Sequence, residues 1–312
     1  MKRILLNSIS ILAAACLAGP VFADAVSDGL AQAKTNLAPY SAKPVFTAPG
    51  EPFDAKACAA GKKMMSIPNN SANPFLKGII DRMKAAGADV GLEVVEGQNQ
   101  GTPAEWVQQV ELATRDKYAI IDLISGIDPG SIAPSLEAAK AAGVKVMTSH
   151  FYDPSFEQHP VVSSSLTIGF GEIGKILADW ATVATDGNPQ VAIIVSRDVP
   201  PTIPLINEFT KELAAVAPNG KIVQEINVGV TEWGTKIQPS LQAALQANPD
   251  INVVIPIYDS MSQFVVPAIR LVGKTGQVKV GTFNGTPFVL DYIQSGEVDM
   301  DIGESLDWIA YA

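Results

Sequence analysis

Cysteine, histidine and positive charge are all scarce in this chain. Its 312 residues include two cysteines, Cys16 and Cys58, and two histidines, His150 and His159. So small a set argues against a structural zinc site. Once the leader described below is removed, only Cys58 remains, and no intrachain disulfide can staple the fold. Lys and Arg number 22 against 32 Asp and Glu, a formal net charge of −10, and the basic residues form no block. That balance lacks the electrostatic footprint of a nucleic-acid binder. Charged residues make up 17% of the chain against a usual share of about 25%, while hydrophobic residues reach 47%. An intrinsically disordered chain needs the opposite composition. No stretch attains the run of about 18 apolar residues that spans a bilayer.

What is present begins with an address. Lys2 and Arg3 precede a short apolar run at residues 9–17, and Val21-Phe22-Ala23 offers the small residues a signal peptidase accepts. The pattern predicts an exported protein cleaved after Ala23, with residues 1–23 as signal peptide. Lipid attachment at Cys16 is the lesser alternative, because Leu12 stands four residues before it and Ala13 three before. The length suggests about two domains, each able to bury a core.

Residues 24–37 place Val26, Leu30, Ala33 and Leu37 on one helical face, and Pro39, Pro44, Pro49 and Pro52 then mark an extended arm. The whole 24–60 segment is expected to lie outside the cores. Beyond it, short apolar runs alternate with amphipathic patterns. Strands are expected at 62–68, 89–96, 119–124, 145–149, 162–168, 190–195, 221–228, 251–257, 279–283 and 298–302. Among the helices between them, one at 74–88 ends in Gly87, and another opens on Thr102-Pro103-Ala104-Glu105, a capping box with proline at its first helical position. Continuous apolar strands separated by helices mean parallel sheets covered on both faces, a doubly wound α/β class. About ten strands divide more naturally into two sheets than one.

Gly169-Phe170-Gly171-Glu172-Ile173-Gly174 matches the G-x-G-x-x-G of dinucleotide sites. There the glycines bring pyrophosphate to a helix N-terminus, and an acid about 20 residues on holds the ribose. Here the corresponding acid, Asp198, falls 29 positions after Gly169, and the motif sits mid-chain. Glycines easing a crossing between two halves explain it better than a cofactor, and none is expected. His150 and Glu304 each stand beside a strand end and could serve as general acid or base. For an arbitrary His or Glu a structural role is the commoner one, and no constellation compels catalysis or a metal.

Polar and aromatic residues cluster immediately after the strands. They include Asn69 to Phe75, His150-Phe151-Tyr152, Ser196-Arg197-Asp198, Tyr258-Asp259 and Asn284-Gly285-Thr286. Ligands of open α/β sheets bind outside the carboxyl ends of the strands, so these residues can converge on one cleft between two sheets. The runs N-N-S-A-N-P-F-L, P-I-Y-D-S-M and T-F-N-G-T-P, together with the leader, resemble the ribose-binding-type solute receptors of bacterial ABC transporters. The resemblance covers roughly residues 61–312.

The resemblance implies a type I periplasmic binding fold: two Rossmann-like lobes with parallel sheets joined by a hinge. The N-terminal lobe would be 61–168 plus 304–312, and the C-terminal lobe 169–303. It implies a monomeric, periplasmic receptor that closes on a sugar or polyol and delivers it to an inner-membrane permease, without catalysis. Carried over by position, Asn73 and Phe75 are ligand contacts of the first strand, while Tyr258 stands where an Asn is typical, with Asp259 retained after it. Asn284 replaces an acid, Glu304 an amide, and His150-Phe151 the usual Asp-Arg pair. Arg197 and Trp233 complete the candidate set. These departures leave room for a deoxy sugar or a small aromatic solute. The resemblance also implies more chain after Ala312, a longer helix and a final strand, so the C-terminus reads as truncated. An exported Rossmann-like enzyme and a sensory ligand-binding protein are the alternatives.

Overall fold

Short apolar runs become the inner strands here because both of their faces are buried, as in β6 and β8. The computed structural model describes residues 19–45, 47 and 50–312, with side chains from Asp24 onward. The positive leader, its apolar run and Cys16 lie outside the described residues. Cys58 is free and exposed.

The chain opens with α1 (Gly19–Leu37), a 3₁₀ turn (Ala38–Ser41) and α2 (Ala55–Ala59). The first lobe follows as β1 (Lys63–Pro68), α3 (Pro74–Val90), β2 (Glu93–Glu96), α4 (Pro103–Arg115), β3 (Ile120–Ile124), α5 (Ala133–Ala141), β4 (Lys145–Ser149) and β5 (Ser164–Leu166). Its strands order as β2-β1-β3-β4-β5, all parallel. The second lobe runs α6 (Phe170–Ala184), β6 (Gln190–Val195), α7 (Thr202–Val216), β7 (Lys221–Asn227), α8 (Trp233–Ala247), β8 (Val253–Pro256), α9 (Ser262–Leu271), β9 (Lys279–Asn284), α10 (Val289–Gln294) and β10 (Met300–Gly303). Its sheet orders as β10-β9-β8-β6-β7, again all parallel. The final helix, α11 (Leu306–Tyr311), returns to the first lobe. There Leu306 and Ile309 pack beside Phe75, Ile79 and Met83 of α3.

Local chemistry sets the ends of the helices nearest the cleft. The Asn73 side chain accepts from the N–H groups of Phe75 and Leu76, Pro74 occupies the first turn of α3, and Gly91 closes that helix in the left-handed conformation. Thr102 and Glu105 form the reciprocal capping box of α4. In the first sheet, β3 carries a fully buried carboxylate, Asp122, which accepts from the hydroxyls of Ser66 and Ser149 on the flanking strands. Burial pushes it up to about 6 despite those two donors.

The helix expected over 24–37 is part of α1 and is docked on the second lobe. It lies along α6 and α7 of the second lobe, with Ala33 fully buried. Gly29 approaches so closely that an added Cβ would stand 2.1 Å from the Val216 carbonyl oxygen. Asn36 donates to both Asp179 and Glu212, at 3.1 and 3.2 Å. A helix with so few apolar residues docks because small residues let backbones meet.

Candidate functional site

Between the lobes, the C-terminal ends of β1, β3 and β4 face the C-terminal ends and following loops of β6, β7, β8 and β9. The innermost cavity holds about 20 Å³ and is lined by Asn69, Asn73, Phe75, Ser125 and His150 of the first lobe, and by Val199, Val230, Trp233, Tyr258 and Asn284 of the second. No Lys, Arg, Asp or Glu is among these residues. Ser125, His150 and Asn284 have positive φ, at 50°, 55° and 143°. Each sits at or just past a strand end, where a strained backbone turns a polar side chain into the cleft.

His150 is the most enclosed of them. Its ring meets Phe75 and Phe170 edge-on at 4.9 and 5.3 Å and stacks over Phe283 at 6.1 Å. Nε2 lies 2.6 Å from Glu304. A carboxylate only accepts, so towards an ionised Glu304 it is Nε2 that donates. The ring's Nδ1 is buried without a partner among the described residues, as is Asn69 Oδ1. Two unpaired polar atoms therefore belong to side chains lining one small cavity, and a buried polar group left unpaired is costly. Glu304 also accepts from Asn284 Nδ2 at 3.4 Å, so it orients two lining residues from behind.

The second lobe contributes ring faces whose polar ends are already engaged. Trp233 donates Nε1 to Ser196 Oγ at 2.7 Å. Tyr258 hydrogen-bonds Thr202 Oγ1 at 3.2 Å, and because Thr202 gives its own hydrogen to the Ser196 carbonyl, the phenol is the donor. Burial raises the Tyr258 pKa well above the usual phenol value. The two rings stack at 6.3 Å between centroids. Asp259 is wholly buried and accepts from Thr286 N–H and Oγ1 at 2.6 and 2.8 Å. Burial pushes it up to about 6, and it fixes the loop carrying Asn284 rather than lining the cavity.

Four sequence candidates do not line the cavity: Asp259 and Glu304 stand behind it, and Phe151 and Arg197 lie away from it. Phe151 packs in the first lobe's core, 4.8 Å from the Tyr152 ring, because the positive φ of His150 turns the chain and sends the next side chain inward. Arg197 forks onto Glu225 at 2.7 and 2.8 Å on an exposed sheet edge. Conversely Ser125, Val199 and Val230 line the cavity without having been singled out. Ser125 follows β3 directly, so the strand-end rule that pointed to His150 could have found it.

The glycine motif is occupied structurally. Gly171 N–H donates to Asp153 at 3.0 Å. Burial opposes ionisation of that carboxyl, but the N–H and hydroxyl donors of Ser155 and the N–H groups of Gly171 and Phe170 hold its pKa below the usual range. An anion already sits where pyrophosphate would bind. Gly174 lets α6 touch α7: a Cβ there would stand 2.1 Å from the Leu205 carbonyl oxygen. Asp198 accepts from Val230 N–H at 3.1 Å and shapes the cleft wall.

Two parallel five-stranded lobes enclosing such a cleft match a known family model, that of the periplasmic binding protein domain, over residues 64–312. The chain belongs to that family. Its curated relatives include the D-apiose import binding protein of Actinobacillus succinogenes, 24% identical over 226 residues that cover 72% of this chain and 70% of the relative. Among solved structures, an ABC transporter solute-binding protein from Agrobacterium vitis bound with α-D-tagatopyranose superposes with a TM-score of 0.71 at 19% identity. It covers 80% of this chain and 85% of its own. The Caulobacter myo-inositol-binding protein gives a TM-score of 0.67 at 20% identity, covering 77% and 81%. At these identities the likeness establishes the type I fold. Members of the family are extracytoplasmic binding proteins of transporters, so a cleft between two lobes is the family's place for a solute.

Proposed function

We propose that this protein is the extracytoplasmic substrate-binding component of an ABC importer, that it captures a small, uncharged, polyhydroxylated solute between its lobes, and that it performs no catalysis. The observation carrying this reading is the cavity wall. Amides, a hydroxyl, an imidazole and ring faces surround the space, charged side chains are absent from the lining, and two buried polar atoms, Asn69 Oδ1 and His150 Nδ1, have no partner among the described residues. A sugar or polyol supplies O–H donors at its rim and an apolar face for the rings. The sugar-binding and polyol-binding names of the relatives agree with that chemistry.

Asn69, Asn73, His150 and Asn284 hydrogen-bond the ligand in this reading, Phe75, Trp233 and Tyr258 supply surfaces, and Glu304 and Asp259 hold the others in place. Residues 61–168 with 304–312 close against 169–303, and closure completes the site because both lobes line it. Export by the 1–23 leader places the protein in the periplasm as a monomer that hands its solute to an inner-membrane permease.

Asn73 offers a direct check. Its Oδ1 caps α3 while its Nδ2 has no partner among the described residues and remains for a ligand. Replacing it with Ala should weaken ligand binding by roughly tenfold to a hundredfold, about 1–3 kcal/mol, and should also lower the melting temperature through the lost cap. Asn73→Ser keeps a capping oxygen, so it should lose affinity while restoring most of the stability. Calorimetric titration of both variants reads this. Unchanged affinity in Asn73→Ser would remove Asn73 from the site.

A further inference from the structure

A cavity of about 680 Å³ lies away from the cleft, between residues 37–45, α6 and the edge strand β10. It shares no residue with the cleft cavity. Leu37 and Val45 stand on one side of it, and Ile176, Trp180, Met300 and Ile302 on the other. Ligand pockets commonly enclose about 300–1,000 Å³, so there is room for a small molecule. We infer that this cavity is a second ligand site, and that it takes a small aromatic carboxylate with its ring against Trp180 and its charge at Lys43. Such a site is independent of the solute held in the cleft.

The apolar floor follows from strand alternation. Met300 pairs with Gly281, where an added Cβ would stand 2.3 Å from the Trp180 ring. Met300 and Ile302 therefore share the face that Trp180 covers, and the Asp301 side chain points to the other. There its carboxyl meets the Gly285 N–H, so Asp301, the one acid in the lining, brings the cavity only backbone. The remaining polar side chains are donors. Tyr40 and Ser41 already give their hydroxyl hydrogens to Glu172 and the Leu37 carbonyl. That leaves Trp180 Nε1 and the ammonium of Lys43, the one cation in the lining, neither with a partner among the described residues. An apolar floor beside two unmatched donors, one of them charged, fits a ring that carries a carboxylate. A neutral solute would leave the ammonium unused, and a cationic one would be repelled by it.

The test is calorimetric titration of the purified exported protein with naphthoate, with naphthylmethanol and naphthylmethylammonium as neutral and cationic controls. Wild type is compared with Lys43→Ala, which replaces an exposed side chain that folding does not need, and with Trp180→Phe, which keeps a ring and removes the donor. Naphthoate is expected to bind about tenfold or more tighter than either control. Lys43→Ala should erase that preference, and Trp180→Phe should weaken naphthoate several-fold. Indole N–H resonances locate the site. The chain has four tryptophans, and the peak missing from Trp180→Phe should be the one that naphthoate shifts most. Lys43→Ala decides the matter even where Trp180→Phe folds poorly. Absence of naphthoate binding, equal affinity for all three probes, or a preference that survives Lys43→Ala overturns the site. So does a shift confined to the other tryptophans, which would place the probe elsewhere.

Discussion

Replacing Asp301 with asparagine is expected to raise the melting temperature above pH 7 and to flatten its dependence on pH. Asp301 lies on β10 near the hinge, its Oδ1 is buried without a partner, and burial, then Asp259 and Glu304 nearby, push its carboxyl up to about 8. The Gly285 N–H is the single donor acting the other way. A folded pKa above the unfolded value of about 4 means that the native state binds the proton more tightly. The resulting stability is complete below about pH 4 and is lost as pH rises through 8. Asp122 and Asp259, both raised to about 6, add the same sign over the lower part of that window. The wild type should therefore be most stable in mild acid and lose on the order of a few kcal/mol between pH 5 and 9, roughly 5–10 °C in melting temperature. Asp301→Asn keeps the shape of the protonated acid and cannot ionise, so most of the loss above pH 6 should vanish. Thermal melts of both proteins across that range decide it. A wild type that grows more stable from pH 5 to pH 9, or a variant with an unchanged profile, would show that the hinge carboxyl titrates normally.

Gly174→Ala is expected to destabilise the second lobe severely, while Gly171→Ala costs little. The first places a methyl 2.1 Å from a backbone oxygen of α7, an atom that cannot move without displacing the helix. The second meets the Cγ of Glu208 at 3.3 Å, part of a flexible side chain that can turn away. Overpacking between helices costs about 1–3 kcal/mol and occasionally more, and the backbone contact puts Gly174→Ala at the upper end. A dinucleotide site would invert the order of functional damage, since its second glycine admits the pyrophosphate. Chemical denaturation of the two variants ranks them, and equal stability would contradict the helix-packing role assigned to Gly174.

The parts of this fold that were legible in sequence are those governed by neighbours in the chain. Asn73-Pro74 and Thr102-Pro103-Ala104-Glu105 start helices by hydrogen bonds spanning two or three residues, so their pattern carries the geometry. The central strands were legible because burial on both faces demands apolar runs, as in β6 and β8, and strand ends then pointed to Asn73, His150, Tyr258 and Asn284. What failed was whatever depended on distant partners or on one unusual dihedral. Phe151 was drawn towards the cleft by its place just after a strand and at the family's Asp-Arg position, and neither shows the turn at His150, where φ reaches 55°. Arg197 resembled a ligand group because Glu225, its partner across the sheet edge, is 28 residues away. The docking of α1 on α6 and α7 rests on Gly29 and Ala33 fitting a surface made elsewhere. Ser125 was overlooked although it follows a strand, because a lone serine after an apolar run is also ordinary turn chemistry.

The central claim is that the cleft selects a neutral, hydroxylated solute, and a ligand screen with the purified protein tests it most directly. Pentoses, hexoses, polyols and glycosides are compared with amino acids, organic anions and small aromatics by thermal shift, and hits are titrated by calorimetry. A specific ligand stabilises by mass action, about 2.7 kcal/mol at a hundredfold excess over Kd. The account predicts a selective hit among the neutral polyhydroxylated compounds, with a Kd near micromolar, about −8 kcal/mol, that weakens at least tenfold in Asn73→Ser. A tight hit among the charged solutes, with no response to any sugar, polyol or glycoside, would contradict it.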